Sequence, residues 1–204
     1  MQHFPDLKHL INRRMKAAMP QTPALKPDEK RLIRLAKKGD PGAQKGLYDL
    51  LAPKMFAVCI RYMGDRMAAE DVLQDGFVTL FAKLDSFSGI GSFEGWARKI
   101  FVNTALMSLR KSDVLKDSGD IEEARSLTGG GTTAMQDIGY KELMEMVAAL
   151  PTGFRTVFNM YVIEGYSHKE IGEALGISEN TSRSQLQRAR TLLQSKIRES
   201  SDDR

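Results

Sequence analysis

The chain has 204 residues, 42% of them hydrophobic and 27% charged, with a formal net charge of +4 at pH 7, the composition of an ordinary soluble globular protein with room for one or two domains. Cys59 is the only cysteine, which excludes an intrachain disulfide and a structural zinc site of several thiolates. No run approaches the ~18 apolar residues of a membrane span, and the N-terminus lacks the apolar centre of a signal peptide, so no membrane insertion is expected and the cytoplasm is the expected location.

Charge is unevenly spread. Residues 1–27 and 28–111 carry +4 each, residues 112–139 carry −4, and residues 140–198 carry +2. Basic blocks separated by an acidic, glycine-containing stretch predict two domains on a tether. The mild basicity suits a nucleic acid or an acidic surface as partner.

In chain order, residues 1–27 hold several prolines and scattered charge and read as a mobile extension with one short helix around Leu7 to Met19. Asp28 can cap a helix that runs to about Lys38 and stops at Gly39. Asp40-Pro41 offers a second N-cap followed by proline at the first helical position, where its missing N–H costs nothing. Pro53 is expected to break or kink that segment, and a further helix reaches Met63-Gly64. The run around Cys59 is apolar, which places its thiol in a core.

The next helix starts near Asp65. Val72, Leu73, Phe77, Leu80, Phe81 and Leu84 recur at steps of three and four and mark one buried stripe. Its other face carries Glu70, Asp71, Gln74 and Asp75. Asp85 to Ser92 reads as a loop with two glycines, and Ser92 can cap a helix from Phe93 to Lys111. Trp96, spaced helically with Ile100, reads as core. From Ser112 to Gly139 the periodicity dissolves, and Thr128 to Thr133 has no side chains able to build a core. A tether of that length inside one compact domain would be unusual, so it marks a boundary.

The second domain opens with a helix from about Tyr140 to Ala149, ended before Pro151. Thr152 is expected to cap the next, which Gly165 closes. Ser167-His168-Lys169-Glu170 is a capping box that starts a short helix to Leu175. Gly176-Ile177-Ser178 makes a tight turn, and a long helix follows from Glu179 to about Arg198. With no strand signal, the expected fold is all-α: two small helical domains joined by a flexible linker.

Ser167 to Arg190 follows the helix-turn-helix plan. Ile171 and Ala174 face the core, Gly176 permits the positive φ of the turn, and Ile177 plugs the angle between the helices. Ser178 caps the second helix so that its first turns can enter a DNA major groove. The face expected to meet DNA carries Glu179, Asn180, Thr181, Ser182, Arg183, Gln185, Gln187 and Arg188. Gln and Asn pair with adenine edges, Arg with guanine, Thr and Ser with phosphate. Arg183, Arg188 and Arg190 add charge for the backbone.

Three anchors carry a family resemblance: Ala69 to Phe77, Phe93 to Asn103, and Gly176 to Thr181 followed by Arg188-Ala189-Arg190. In this order and spacing the chain resembles the extracytoplasmic-function (ECF) sigma factors over roughly Asp28 to Arg198. The resemblance implies a region 2 type domain at 28–111 that binds core RNA polymerase and the −10 promoter element. It implies a region 4 type domain at 140–198 that binds the −35 element, with 112–139 as acidic linker. Glu70, Asp71, Gln74 and Asp75 would dock on the clamp helices of the β′ subunit, and the β flap is a further polymerase contact. The loop Asp85 to Ser92 and the helix after it would melt and read the −10 element, through Phe87, Arg98, Lys99, Asn103, Arg110 and Lys111. An anti-sigma factor is the implied regulator. Two positions depart from the family pattern, Met107 where an aspartate is frequent and Gln185 where a basic residue is, so a promoter sequence does not carry over.

Two other classes compete. A conventional helix-turn-helix repressor or activator would use the first domain as sensor or dimerisation module, but nothing resembles a ligand-pocket motif and the polar face of Glu70 to Asp75 would have no purpose. A nucleic-acid enzyme would need clustered carboxylates or histidines, or an activated nucleophile. His3 and His9 lie in the N-terminal extension, and His168 beside a helix cap reads as a surface residue. Asp71 and Asp75, one helical turn apart, lack a third metal ligand. No catalytic residue, metal or cofactor is expected.

Overall fold

A computed structural model describes residues 27–111 and 138–202, so the readings of residues 1–26 and of most of the linker lie outside it. All the described elements are helical, and they belong to two compact units.

The first unit holds α1 (Pro27–Ala36), α2 (Pro41–Met63), α3 (Arg66–Ala82), a 3-10 turn (Leu84–Ser86) and most of α4 (Phe93–Lys111). Because α1 already begins at Pro27, Asp28 lies in its first turn instead of capping it; there its carboxylate still favours the positive end of the helix dipole. Gly39 takes the left-handed φ of 81° at the turn. Asp40 caps α2 as expected, its Oδ1 accepting the Ala43 N–H at 2.7 Å with Pro41 just inside the helix.

The expected break at Pro53 does not occur, and α2 runs through it to Met63. An internal proline costs about 3 kcal/mol. Leu47, Leu51, Met55 and Val58 lie on the buried side of the same helix, and each contributes about 1.5–3 kcal/mol of burial. The burial outweighs the proline, whose ring is left on the exposed side. Gly64 (φ 69°) ends α2, and Asp65 caps α3 by accepting from Ala68 N–H at 3.0 Å.

Val72, Phe77, Leu80 and Leu84 are buried as their spacing predicts, with Leu73 and Phe81 half-buried at the edge of the stripe. Gly76 lies under the Phe101 ring of α4, which an added Cβ would strike, and Phe101 meets Phe77 edge-on at 5.0 Å. Cys59 is fully buried, and that burial pushes its thiol up to about 12.

The second unit contains α5 (Ile138–Ala148), α6 (Thr152–Phe158), a π-helical turn (Asn159–Ile163), α7 (His168–Leu175) and α8 (Glu179–Asp202). The N-cap of α6 is Pro151, which offers no side-chain acceptor, so Thr152 is the first helical residue and not the cap. Helical structure continues through the π turn and stops before Gly165 (φ 80°). Val147, Leu150, Val157, Phe158, Met160, Ile171, Leu186, Ala189 and Leu193 supply the core. Arg155 is buried among them: its Nη1 donates to the carbonyls of Ala148 and Leu150, both at 2.9 Å, at the end of α5.

Candidate nucleic-acid and partner surfaces

Helix α3 sorts its residues cleanly. Glu70, Asp71, Gln74 and Asp75 are all exposed, while Val72, Phe77 and Leu80 point into the core. Arg66 Nε pairs with Glu70 at 2.9 Å, with both side chains substantially in solvent. Met67 and Val78 are 76% and 71% exposed. At positions 67, 71, 74 and 78 they share the acidic face and flank it with apolar surface, a feature the sequence reading did not include although the same spacing signals it.

On the loop and α4, Lys99, Asn103, Arg110 and Lys111 are exposed and Arg98 is half-buried. Lys99, Asn103 and Arg110 follow one face together with Met107, whose side chain is 59% exposed. Phe87 is a correction. It is only 4% exposed, its ring packed against Phe93 at 5.1 Å and Trp96 at 5.3 Å, so it presents no free face to a base. The same cluster holds Trp96, which stacks on Phe93 at 5.6 Å but is half-buried, at the edge of the core and not within it as its spacing suggested. Ser92 starts α4 by accepting the Gly95 N–H at 3.1 Å. Lys37, absent from the sequence reading, reaches from the end of α1 to the carbonyls of Phe87 and Asp85.

The helix-turn-helix forms as its local signals dictate. Ser167 Oγ and the Glu170 carboxylate satisfy each other's backbone N–H groups, Gly176 takes φ 69°, and Ser178 Oγ accepts the Thr181 N–H at 3.0 Å. Gly172 was missed. A Cβ there would stand 2.8 Å from the Ile177 carbonyl oxygen, so only glycine lets the turn fold back onto α7 and the Ile177 N–H reach the Gly172 carbonyl at 3.1 Å. The signal was a glycine inside a helical pattern, which usually marks close backbone approach.

Along α8, Glu179, Asn180, Arg183, Gln187 and Arg188 are exposed, and Thr181, Gln185 and Arg190 are half-buried. Glu179 and Arg183 form an ion pair. Ser182 is the second correction. It is fully buried, with its Oγ 2.9 Å from His168 Nδ1, and therefore holds α8 to α7 instead of facing DNA. His168 is accordingly no bland surface group. Its ring stacks on Tyr161 at 4.4 Å, and burial first, then Arg183, keeps its pKa below the ordinary histidine value.

Among the described residues no group of three or more histidine, cysteine or acidic side chains is placed to hold a metal ion, and no helix is long and apolar enough to cross a membrane.

Comparison with known families agrees with this division into two helical units. Residues 47–114 match Sigma-70 region 2, and residues 140–193 match Sigma-70, region 4. The ECF RNA polymerase sigma factor SigW of Bacillus subtilis is 28% identical over 182 residues, covering 83% of this chain and 97% of that protein. The ECF RNA polymerase sigma-E factor of Escherichia coli K12 is 28% identical over 181 residues, covering 81% and 92%. Among solved structures, the sigma factor RpoE in complex with the anti-sigma factor NepR from Bartonella quintana is 25% identical, covering 76% of this chain and 96% of that one, with a TM-score of 0.46. CnrH in complex with the cytosolic domain of CnrY is 23% identical, covering 81% and 94%, with a TM-score of 0.43.

A region 2 followed by a region 4 defines a sigma-70 type subunit for transcription initiation, and the conventional repressor or activator is not favoured. The chain belongs to the ECF sigma factors.

Proposed function

We propose that the protein binds core RNA polymerase through Glu70, Asp71, Gln74 and Asp75 and reads the −10 element through the loop before α4 and the exposed basic and amide side chains of α4. The −35 element is then read by the exposed residues at the start of α8. Residues 28–111 form the first binding domain and 140–198 the second, with the acidic stretch 112–139 joining them. One observation supports this reading most: on α3, four adjacent polar and acidic side chains are all in solvent while Val72, Phe77 and Leu80 are turned inward. Such a face suits a basic helical partner such as the β′ clamp helices.

Phe87 and Ser182 leave the set of contacts, the first as a support beneath the −10 loop and the second as an internal strut of the helix-turn-helix. The relatives are sigma factors, which supports a non-enzymatic role: polymerase supplies the chemistry, and this subunit supplies promoter choice and opening by binding the melted strand better than the duplex. It would work where polymerase works, in the cytoplasm, under the control of an anti-sigma factor that covers its polymerase-binding surfaces. Charge reversal of both Asp71 and Asp75 to Lys is expected to abolish co-elution with core polymerase without changing the helical content. Retained co-elution would remove the assignment of that face.

A further inference from the structure

The loop between the 3-10 turn and α4 is pinned at its root and open at its apex. At the root, Lys37 Nζ donates to the Phe87 carbonyl at 2.7 Å and the Asp85 carbonyl at 3.3 Å. The Phe87 ring is locked among Phe93 and Trp96. The chain then passes through Gly89 and Gly91, at φ +80° and +81°, with nothing within 4 Å of where a Cβ would stand on either. Glycine is therefore needed there for the backbone conformation alone, not to make room for a neighbour. Between them Ile90 is 86% exposed, the most exposed large hydrophobic side chain among the described residues, with its N–H directed to Ser88 Oγ at 3.3 Å. The loop gives up the stabilisation that burial of an isoleucine would bring and uses two left-handed glycines to hold that side chain outward.

We propose that Ile90 is an apolar wedge that enters between bases of the opening promoter duplex, and that Lys37 is the positioning residue that holds the loop in the pose that delivers it. The proposal rests on the reading of this loop as part of the −10 surface. An aliphatic side chain offers no hydrogen bond to a base edge, so it reads little sequence. What it supplies is contact for the faces of a base step that has lost its stacking. Lys37 grips main-chain carbonyls only, so it fixes the backbone of the loop without occupying any of its side chains.

The test follows permanganate reactivity of unpaired thymines, using polymerase assembled with the full chain. Two templates are compared: a duplex promoter located by its transcript start, and the same promoter with a pre-opened, mismatched −10 segment. Ile90→Ser is expected to open the duplex roughly tenfold more slowly than wild type, to behave as wild type on the pre-opened template, and to be rescued by Ile90→Leu. Lys37→Met should reproduce the duplex defect, and the double variant should be no slower than Ile90→Ser, a non-additivity that general destabilisation would not produce. Normal opening of the duplex by Ile90→Ser, or an equal defect on both templates, overturns the wedge. An additive double variant overturns the role of Lys37. A wild-type protein with which polymerase opens the duplex promoter no faster than core enzyme alone overturns the promoter reading and the wedge with it, a result distinct from wild-type opening with a silent Ile90→Ser.

Discussion

Arg155 and His168 do structural work of a kind that their residue types do not announce. Arg155 is 7% exposed, and burial draws its pKa down to about 10, which leaves it charged at neutral pH. Its guanidinium satisfies two carbonyls at the end of α5 and also donates to Thr152 Oγ at 3.3 Å. Arg155→Met fills similar volume but orphans those carbonyls, and unfolding by denaturant should show a loss of about 2–4 kcal/mol in the second unit. His168 gives a pH dependence. With its pKa lowered in the folded state, the unfolded chain takes up the proton first. Its contribution is therefore whole above the ordinary histidine value and is lost as pH falls from there through the lowered one. Between about pH 7.5 and 5.5 the denaturation midpoint should fall further in the wild type than in His168→Phe, which cannot titrate.

Residue roles divide by how local their causes are. Asp40, Asp65, Ser92, Ser167 and Ser178 were legible as helix starts because each satisfies an N–H only three residues away. Phe87 and Ser182 were misplaced because facing in or out depends on partners distant in sequence. For Ser182 the pattern was nevertheless present: positions 182, 186, 189 and 193 lie on one helical face, and Leu186, Ala189 and Leu193 are its buried members. For Phe87, a lone aromatic in a loop reads equally well as a base platform or a plug, and only the approach of Phe93 and Trp96 decides.

Elements are where packing overrides propensity. Helix α2 survives Pro53, and α6 passes into a π turn that no periodicity in the sequence foretells. The helix-turn-helix, by contrast, was readable in its helix starts and its turn, but not in its tightest point, Gly172, nor in the Ser182–His168 contact between its helices. Gly172→Ala places a methyl against the Ile177 carbonyl, a backbone atom that cannot rotate away. The expected cost is about 1–3 kcal/mol of the second unit's stability, together with weakened −35 binding because the start of α8 moves relative to α7. Denaturant titration and −35 duplex binding measured on the same variant check both. Unchanged stability would show that the turn gives way easily.

At the scale of the molecule, charge and helical grammar together carried the two-domain, all-helical organisation, since acidic and basic blocks and helix caps are properties of short segments. Which exposed face meets which partner is a different matter, because the partner's surface is not written in this chain. Binding of DNA phosphates by the basic groups of α4 and α8 predicts a steep salt dependence. Removing one side chain that meets a phosphate should make the slope of log K against log salt shallower by about one. Arg188→Gln should therefore weaken −35 duplex binding at every sequence and flatten that slope, as measured by salt titration.

The most direct test of the central claim mixes the purified protein with core RNA polymerase and genomic DNA and maps transcript starts against core enzyme alone. New, discrete starts that share two upstream sequence elements, and that vanish when Asp71 and Asp75 are both changed to Lys, are the predicted result. Binding of the protein to duplex DNA on its own, with no new starts and no association with polymerase, would contradict it.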